Sequence, residues 1–110
     1  MGNKMIIKEE SKETYQSLKD GIKELMPEIE VKLLKEDINL FNLGFRSYIP
    51  CDIEIIATDD QIDELMDMII QFEVDAYDTP NGKEPKETDK NYIKYKKYNW
   101  IYSLLKSRCL

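Results

Sequence analysis

Between Thr58 and Pro80, Ile62, Leu65, Met66, Ile69, Phe72 and Ala76 form an apolar series. These intervals of three and four gather on one face only in an α-helix. The start is written into Thr58-Asp59-Asp60-Gln61, where the threonine oxygen can accept from the third backbone N–H and the glutamine can reach back. The stop is the turn-rich stretch from Asp78 to Pro85, with two prolines and an Asn-Gly. A helix is therefore predicted over 59–78, and any fold open to the chain must cover one side of it. The 110 residues, 42% apolar and 35% charged, suffice for a single domain 1–110 that does so.

Upstream, Ser11 can cap a helix over 11–26 with Tyr15, Leu18, Ile22 and Leu25 on one side, closed by Pro27. Residues 29–35 alternate as a half-buried strand does, with Ile29, Val31 and Leu33 on one face. Phe41, Leu43 and Phe45 repeat the alternation up to Ile49, and Ile53-Glu54-Ile55-Ile56 follows Pro50 as a further strand. Met5–Ile7 offers a fourth. Near the end, Asp89 or Thr88 caps a helix that carries Tyr92, Tyr95, Tyr98, Trp100, Ile101, Tyr102 and Leu105, with Asn99 as a place where it can break. The expected class is α+β: a three-stranded antiparallel sheet, four-stranded if Met5–Ile7 joins it, with three helices in the order α-β-β-β-α-α.

Charge is distributed unevenly. Residues 1–50 hold nine acids and eight bases, residues 51–80 ten acids and no base, and residues 81–110 three acids and eight bases, for a net charge of −6. At 100° per residue, Asp60, Asp63, Glu64, Asp67, Asp75 and Asp78 fall within an arc of about 120°, opposite the apolar face. Asp52 and Glu54 lie on the outer side of the preceding strand and extend that anionic surface. Two readings stand side by side. The face is merely solvated and meets the lysines of the last helix, or it presents carboxylates to a basic partner in imitation of phosphates. Residues 91–110 supply five bases, which leaves about half of the ten-acid block uncompensated.

Enzyme chemistry finds little support. With no histidine, Ser-His-Asp triads, Cys-His dyads and His-ligated zinc are excluded. Four glycines at 2, 21, 44 and 82 make neither a phosphate loop nor a dinucleotide fingerprint, and calcium-loop spacing fails at Glu64 and at Pro80. Glu30-Val31-Lys32 carries the E-x-K element of a metal-dependent nuclease, but the only acid shortly upstream on a plausible element, Asp20, sits on a helix. Asp75, Asp78 and Asn81 remain as a carboxylate-type cation site for Mg²⁺ or Ca²⁺. Cys51 and Cys109 are far apart and read as free thiols. No signal-type or membrane-spanning segment is expected, which points to the cytoplasm.

Glu73 falls among Ile62 and Met66 on the helical wheel, so burial with Arg46, a lysine or a tyrosine hydroxyl is expected. The last helix interleaves lysines with aromatics, a pattern that can stack bases. Tyrosines at 95, 98 and 102 first suggest packing, and the net charge of −6 works against direct nucleic-acid binding.

The stretches IPCDIEI (49–55), EVDAYDTPNGKEP (73–85) and YKKYNWIYSLL (95–105) are similar to short accessory proteins of phages and mobile elements in Gram-positive bacteria. In size, lysine and isoleucine content and anionic block, the chain also resembles the anti-CRISPR inhibitors, a group without a common fold or motif. That resemblance implies a small acidic protein, not an enzyme, which binds and inhibits a larger nucleic-acid-binding protein such as a Cas effector. Asp52, Glu54, Asp60, Asp63, Glu64, Asp67, Asp75 and Asp78 are the expected partner-binding residues, with no cofactor and no metal. The alternative is a homo-oligomeric structural or adaptor module that uses Met68, Ile70, Val74 and the tyrosine stripe.

Overall fold

The computed structural model describes residues 3–36, 42–44 and 48–109, and the side chains of all of these except 3, 9, 35, 36, 81, 108 and 109. The elements are β1 (Asn3–Glu10), α1 (Lys12–Leu25), β2 (Glu30–Glu36), β3 (Cys51–Ala57), α2 (Asp59–Tyr77), a 3-10 turn (Pro80–Gly82) and α3 (Lys90–Cys109). They form two compact units, Met1–Gln61 and Ile62–Leu110.

In the first unit the sheet runs β1-β3-β2, with both outer strands antiparallel to β3. β1 and β2 are therefore parallel to each other, and α1 is the crossover between them, with β3 inserted in the gap as in a split β-α-β unit. Register puts Ile7, Ile53 and Leu33 in one row and Met5, Ile55 and Val31 in the next, all on one face. Ile7, Ile53 and Ile55 on that face are fully buried, as are Leu18 and Ile22 of α1. The opposite face carries Lys4, Ile6, Glu30, Lys32, Glu54 and Ile56.

Both outer strands bulge at the same level. Ile7 to Glu10 and Leu33 to Glu36 each span the interval that Ile53 to Cys51 covers on β3, so each carries one extra residue opposite Asp52. Ser11 caps α1 by accepting from the Thr14 N–H at 3.1 Å, and the helix closes on Met26, one residue before Pro27.

The expected class holds, since three antiparallel strands in one sheet and three helices make an α+β fold, but the element order is β-α-β-β-α-α. The segment Met5–Ile7, expected only as an optional fourth strand, is the middle of the eight-residue β1. The strand expected over 41–49 falls partly outside the described residues, which exclude 41 and 45–47. Within it, residue 42 is helical and residues 43–44 form a turn with Gly44 at φ +80°. A regular strand does not contain that left-handed conformation, and glycine adopts it without a Cβ clash.

In the second unit, α2 and α3 form an antiparallel hairpin: Tyr77 meets Tyr92 and Tyr95, while Phe72, about one and a half turns earlier on α2, meets Tyr98. The buried side chains of the two helices are Ile62, Leu65, Ile69 and Ala76 on α2 with Tyr98, Ile101 and Leu105 on α3. Asp89 caps α3 through the Asn91 N–H at 2.8 Å, and the helix runs through Asn99 without a break. Gly82, at φ +67°, lets the connection turn.

Candidate functional site: the anionic face of the second helix

The first turn of α2 is set by its own side chains. Gln61 N–H donates to Thr58 Oγ1 at 3.0 Å, and Thr58 N–H donates to Gln61 Oε1 at 2.9 Å. Asp59 and Asp60 then lie on the positive end of the helix, where carboxylates are favoured.

From this start Asp60, Asp63, Glu64, Asp67, Asp75 and Asp78 are all exposed. Residues 60 to 77 extend about 26 Å at the helical rise, and Asp78, expected as the last helical residue, follows the helix end at Tyr77. Among the described residues, none of Asp60, Asp63, Glu64, Asp67 and Asp78 is held in an ion pair. Asp75 accepts from the Gln71 amide at 2.9 Å, which places a neutral side chain within the stripe. The pairs Asp59/Asp63, Asp60/Glu64 and Asp63/Asp67 are like charges four apart, each costing about 0.2–0.5 kcal/mol.

The stripe is not uniformly anionic. Val74 is exposed within the same arc, and Ile70 and Tyr77 are exposed along its edge. The N-terminal half of the face is thus acidic, and the C-terminal half pairs acids with an apolar ridge. Met68, by contrast, is half-buried and lies on the other side of the helix from Ile70 and Val74.

Asp52 and Glu54 point to the expected outer face of β3, opposite Ile53 and Ile55. Asp52 is half-buried. Glu54, in register between Ile6 and Lys32, is only 9% exposed, so it adds little anionic surface, contrary to expectation. A carboxylate in the central strand is flanked by a side chain on each side, whereas Ile6 and Lys32 on the outer strands stay open.

Glu73 also departs from expectation. It is exposed, not buried, and accepts a hydrogen bond from the Tyr95 hydroxyl. Burial first, and then the Glu73 carboxylate, raise the Tyr95 phenol above its ordinary value. Glu73 lines a groove of about 260 Å³ with Ile69, Ile70, Asn99 and Tyr102. Of the three partners expected for it, the tyrosine is the one found, and the Arg46 side chain lies outside the described residues.

On α3 four of the five lysines, all exposed, lie over aromatic rings. Lys94 Nζ is 4.4 Å from the Phe72 centroid, and Lys96, Lys97 and Lys106 sit over Tyr92, Tyr98 and Tyr102 at 5.7, 5.2 and 5.6 Å. Such cation–π contacts keep the ammonium groups near the aromatic surface.

The remaining candidates resolve individually. Glu30 and Lys32 form an ion pair at 3.4 Å on β2, both about half exposed, which accounts for that element of the E-x-K pattern. Cys51 is a buried free thiol whose sulfur lies 3.0 Å from the Glu10 carbonyl oxygen; the Cys109 side chain lies outside the described residues. Among the described residues no three carboxylate or thiolate side chains converge as metal ligands, and the Asn81 side chain lies outside them. No described helix is long and apolar enough to cross a membrane. Compared with family models, curated proteins and solved structures, the chain matches none of them.

Proposed function

We propose that this chain is a non-enzymatic binding protein whose α2 face docks on the basic, nucleic-acid-binding surface of a larger protein and blocks it. One observation carries the reading: Asp60, Asp63, Glu64 and Asp67 stand exposed on a single helix, without ion-pair partners among the described residues, in a 30-residue segment that contains no base. Concentrating like charge on one face costs folding stability, and an unpaired anionic field of this kind speeds encounter with a cationic groove and discourages wrong partners. Asp60, Asp63, Glu64 and Asp67 form the centre of the docking face, with Asp75 and Asp78 continuing it. Asp52 is half-buried on β3, and buried Glu54 is not part of the contact surface. An inhibitor of an RNA-guided nuclease is one form this activity takes, in keeping with the resemblance of the sequence to anti-CRISPR proteins.

The test compares capture of partners from an extract of the source organism by the wild type and by Asp60→Asn/Asp63→Asn/Glu64→Gln/Asp67→Asn. The proposal expects a basic nucleic-acid-binding protein to be retained by the wild type and lost with the neutralised form. Equal capture by both forms places the interface elsewhere.

A further inference from the structure

We propose that the outer face of the α2–α3 hairpin is a self-association surface that takes a second copy of this chain, with α2 of one copy lying over α3 of the other. The starting observation is a ridge of exposed apolar side chains at helical spacing: Ile70, Val74 and Tyr77 are 44%, 55% and 52% exposed. Single exposed apolar residues are ordinary, whereas a contiguous ridge bounded by charge is the form of an interaction surface. The ridge continues onto α3. Tyr77 touches Tyr92 and Tyr95, and Ile70 lines one groove with Tyr102.

Charge identifies the occupant. On the α2 side the ridge is bordered by Asp63 and Asp67, with Asp78 directly after the helix end, and all three are exposed. On the α3 side Lys96 and Lys106 lie over Tyr92 and Tyr102, at 5.7 and 5.6 Å. One patch therefore has an anionic rim and a cationic rim, and a second copy supplies the complement of both. Two two-fold arrangements are open to a face of this shape. An axis running across the helices sets α2 against α2 and brings acids onto acids. An axis running along them sets α2 against α3 and brings each acidic rim onto a lysine rim, twice. Because the hairpin is antiparallel, Lys106 then lies within a helical turn of the level of Asp63 and Asp67, and Lys96 lies towards the end of α2 that Asp78 follows. Attraction selects the second arrangement. Glu64 lies farther round α2 and Asp60 lies beyond the end of the ridge, so both stay outside this contact, whereas Asp63 and Asp67 belong to both surfaces, and self-association competes with the docking of a basic partner.

Sedimentation equilibrium of the purified full-length chain, alone and over a range of concentrations, tests the inference. The wild type is expected to approach twice the 13.0 kDa chain mass. Ile70→Lys/Val74→Lys, which alters only exposed positions, is expected to weaken association at least about tenfold. Lys96→Glu/Lys106→Glu is expected to do the same, and adding Asp67→Lys/Asp78→Lys to restore it. A wild type that stays monomeric up to about 1 mM overturns the proposal. So does a dimer indifferent to the Ile70/Val74 change, or one that the charge reversal leaves intact or that its complement does not restore. Unfolding midpoints of the same variants separate a lost interface from a lost fold.

Discussion

Thr58 and Gln61 hold each other across the first turn of α2, each backbone N–H donating to the other's side-chain oxygen at 2.9 and 3.0 Å. The helix that carries the acidic face thus begins at a fixed residue, which fixes the angular position of its carboxylates from Asp60 to Asp75. Thr58→Ala is expected to lower stability by about 1 kcal/mol, the usual loss for an N-cap. Because the two hydrogen bonds form one unit, the double Thr58→Ala/Gln61→Ala variant should lose less than the sum of the singles. Urea unfolding of the three variants measures both quantities.

Ile53 is fully buried at the centre of the sheet, in register with Ile7 on one side and Leu33 on the other. Truncation there leaves a cavity that the flanking strands cannot close. Ile53→Ala is expected to cost about 2–5 kcal/mol in chemical denaturation, several times the effect of any cap change.

Neutralising the acidic face should move stability and binding in opposite directions. Asp63 is four residues from both Asp59 and Asp67, so Asp63→Asn relieves two like-charge pairs. A gain of about 0.4–1 kcal/mol is expected at low ionic strength, shrinking as salt is added. The same variant should bind the basic partner more weakly. A stability gain that survives high salt unchanged would show that repulsion is not its source.

Tyr95 supplies a pH dependence. Its phenol is raised from the ordinary value of 10.0 by burial and by the adjacent Glu73 carboxylate, so the folded chain holds this proton at pH values where the unfolded chain has released it. The associated stability is present below about pH 10 and is lost as pH rises from there through the folded-state value. Thermal unfolding between neutral and strongly alkaline pH should show a steeper decline for the wild type than for Tyr95→Phe, which has no proton to lose.

Sequence pattern locates the helices well and the strands unevenly. Ser11, Thr58/Gln61 and Asp89 act as the caps their spacing suggests, because capping is a local chemistry that tertiary packing does not override. β1 is visible only at Met5–Ile7, since exposed Ile6 interrupts the alternation between buried Ile7 and the lysines around it. Residues 42–44 carry an alternating pattern but turn at Gly44, whose φ of +80° no pattern of hydrophobicity encodes. In the site, the exposed carboxylates of α2 follow from helical periodicity alone. The burial of Glu54 depends on strand register across the sheet, and the exposure of Glu73 depends on how α3 lies against α2; neither relation is local in sequence.

The most direct measurement of the central claim is a competition experiment on the captured partner. Labelled nucleic acid bound to that protein is titrated with this chain while anisotropy is followed. Release of the nucleic acid by the wild type, at concentrations that rise with salt, and failure of Asp60→Asn/Asp63→Asn/Glu64→Gln/Asp67→Asn to release it, is the predicted result. A stable ternary complex, in which the partner holds the nucleic acid and this chain together, would contradict the account.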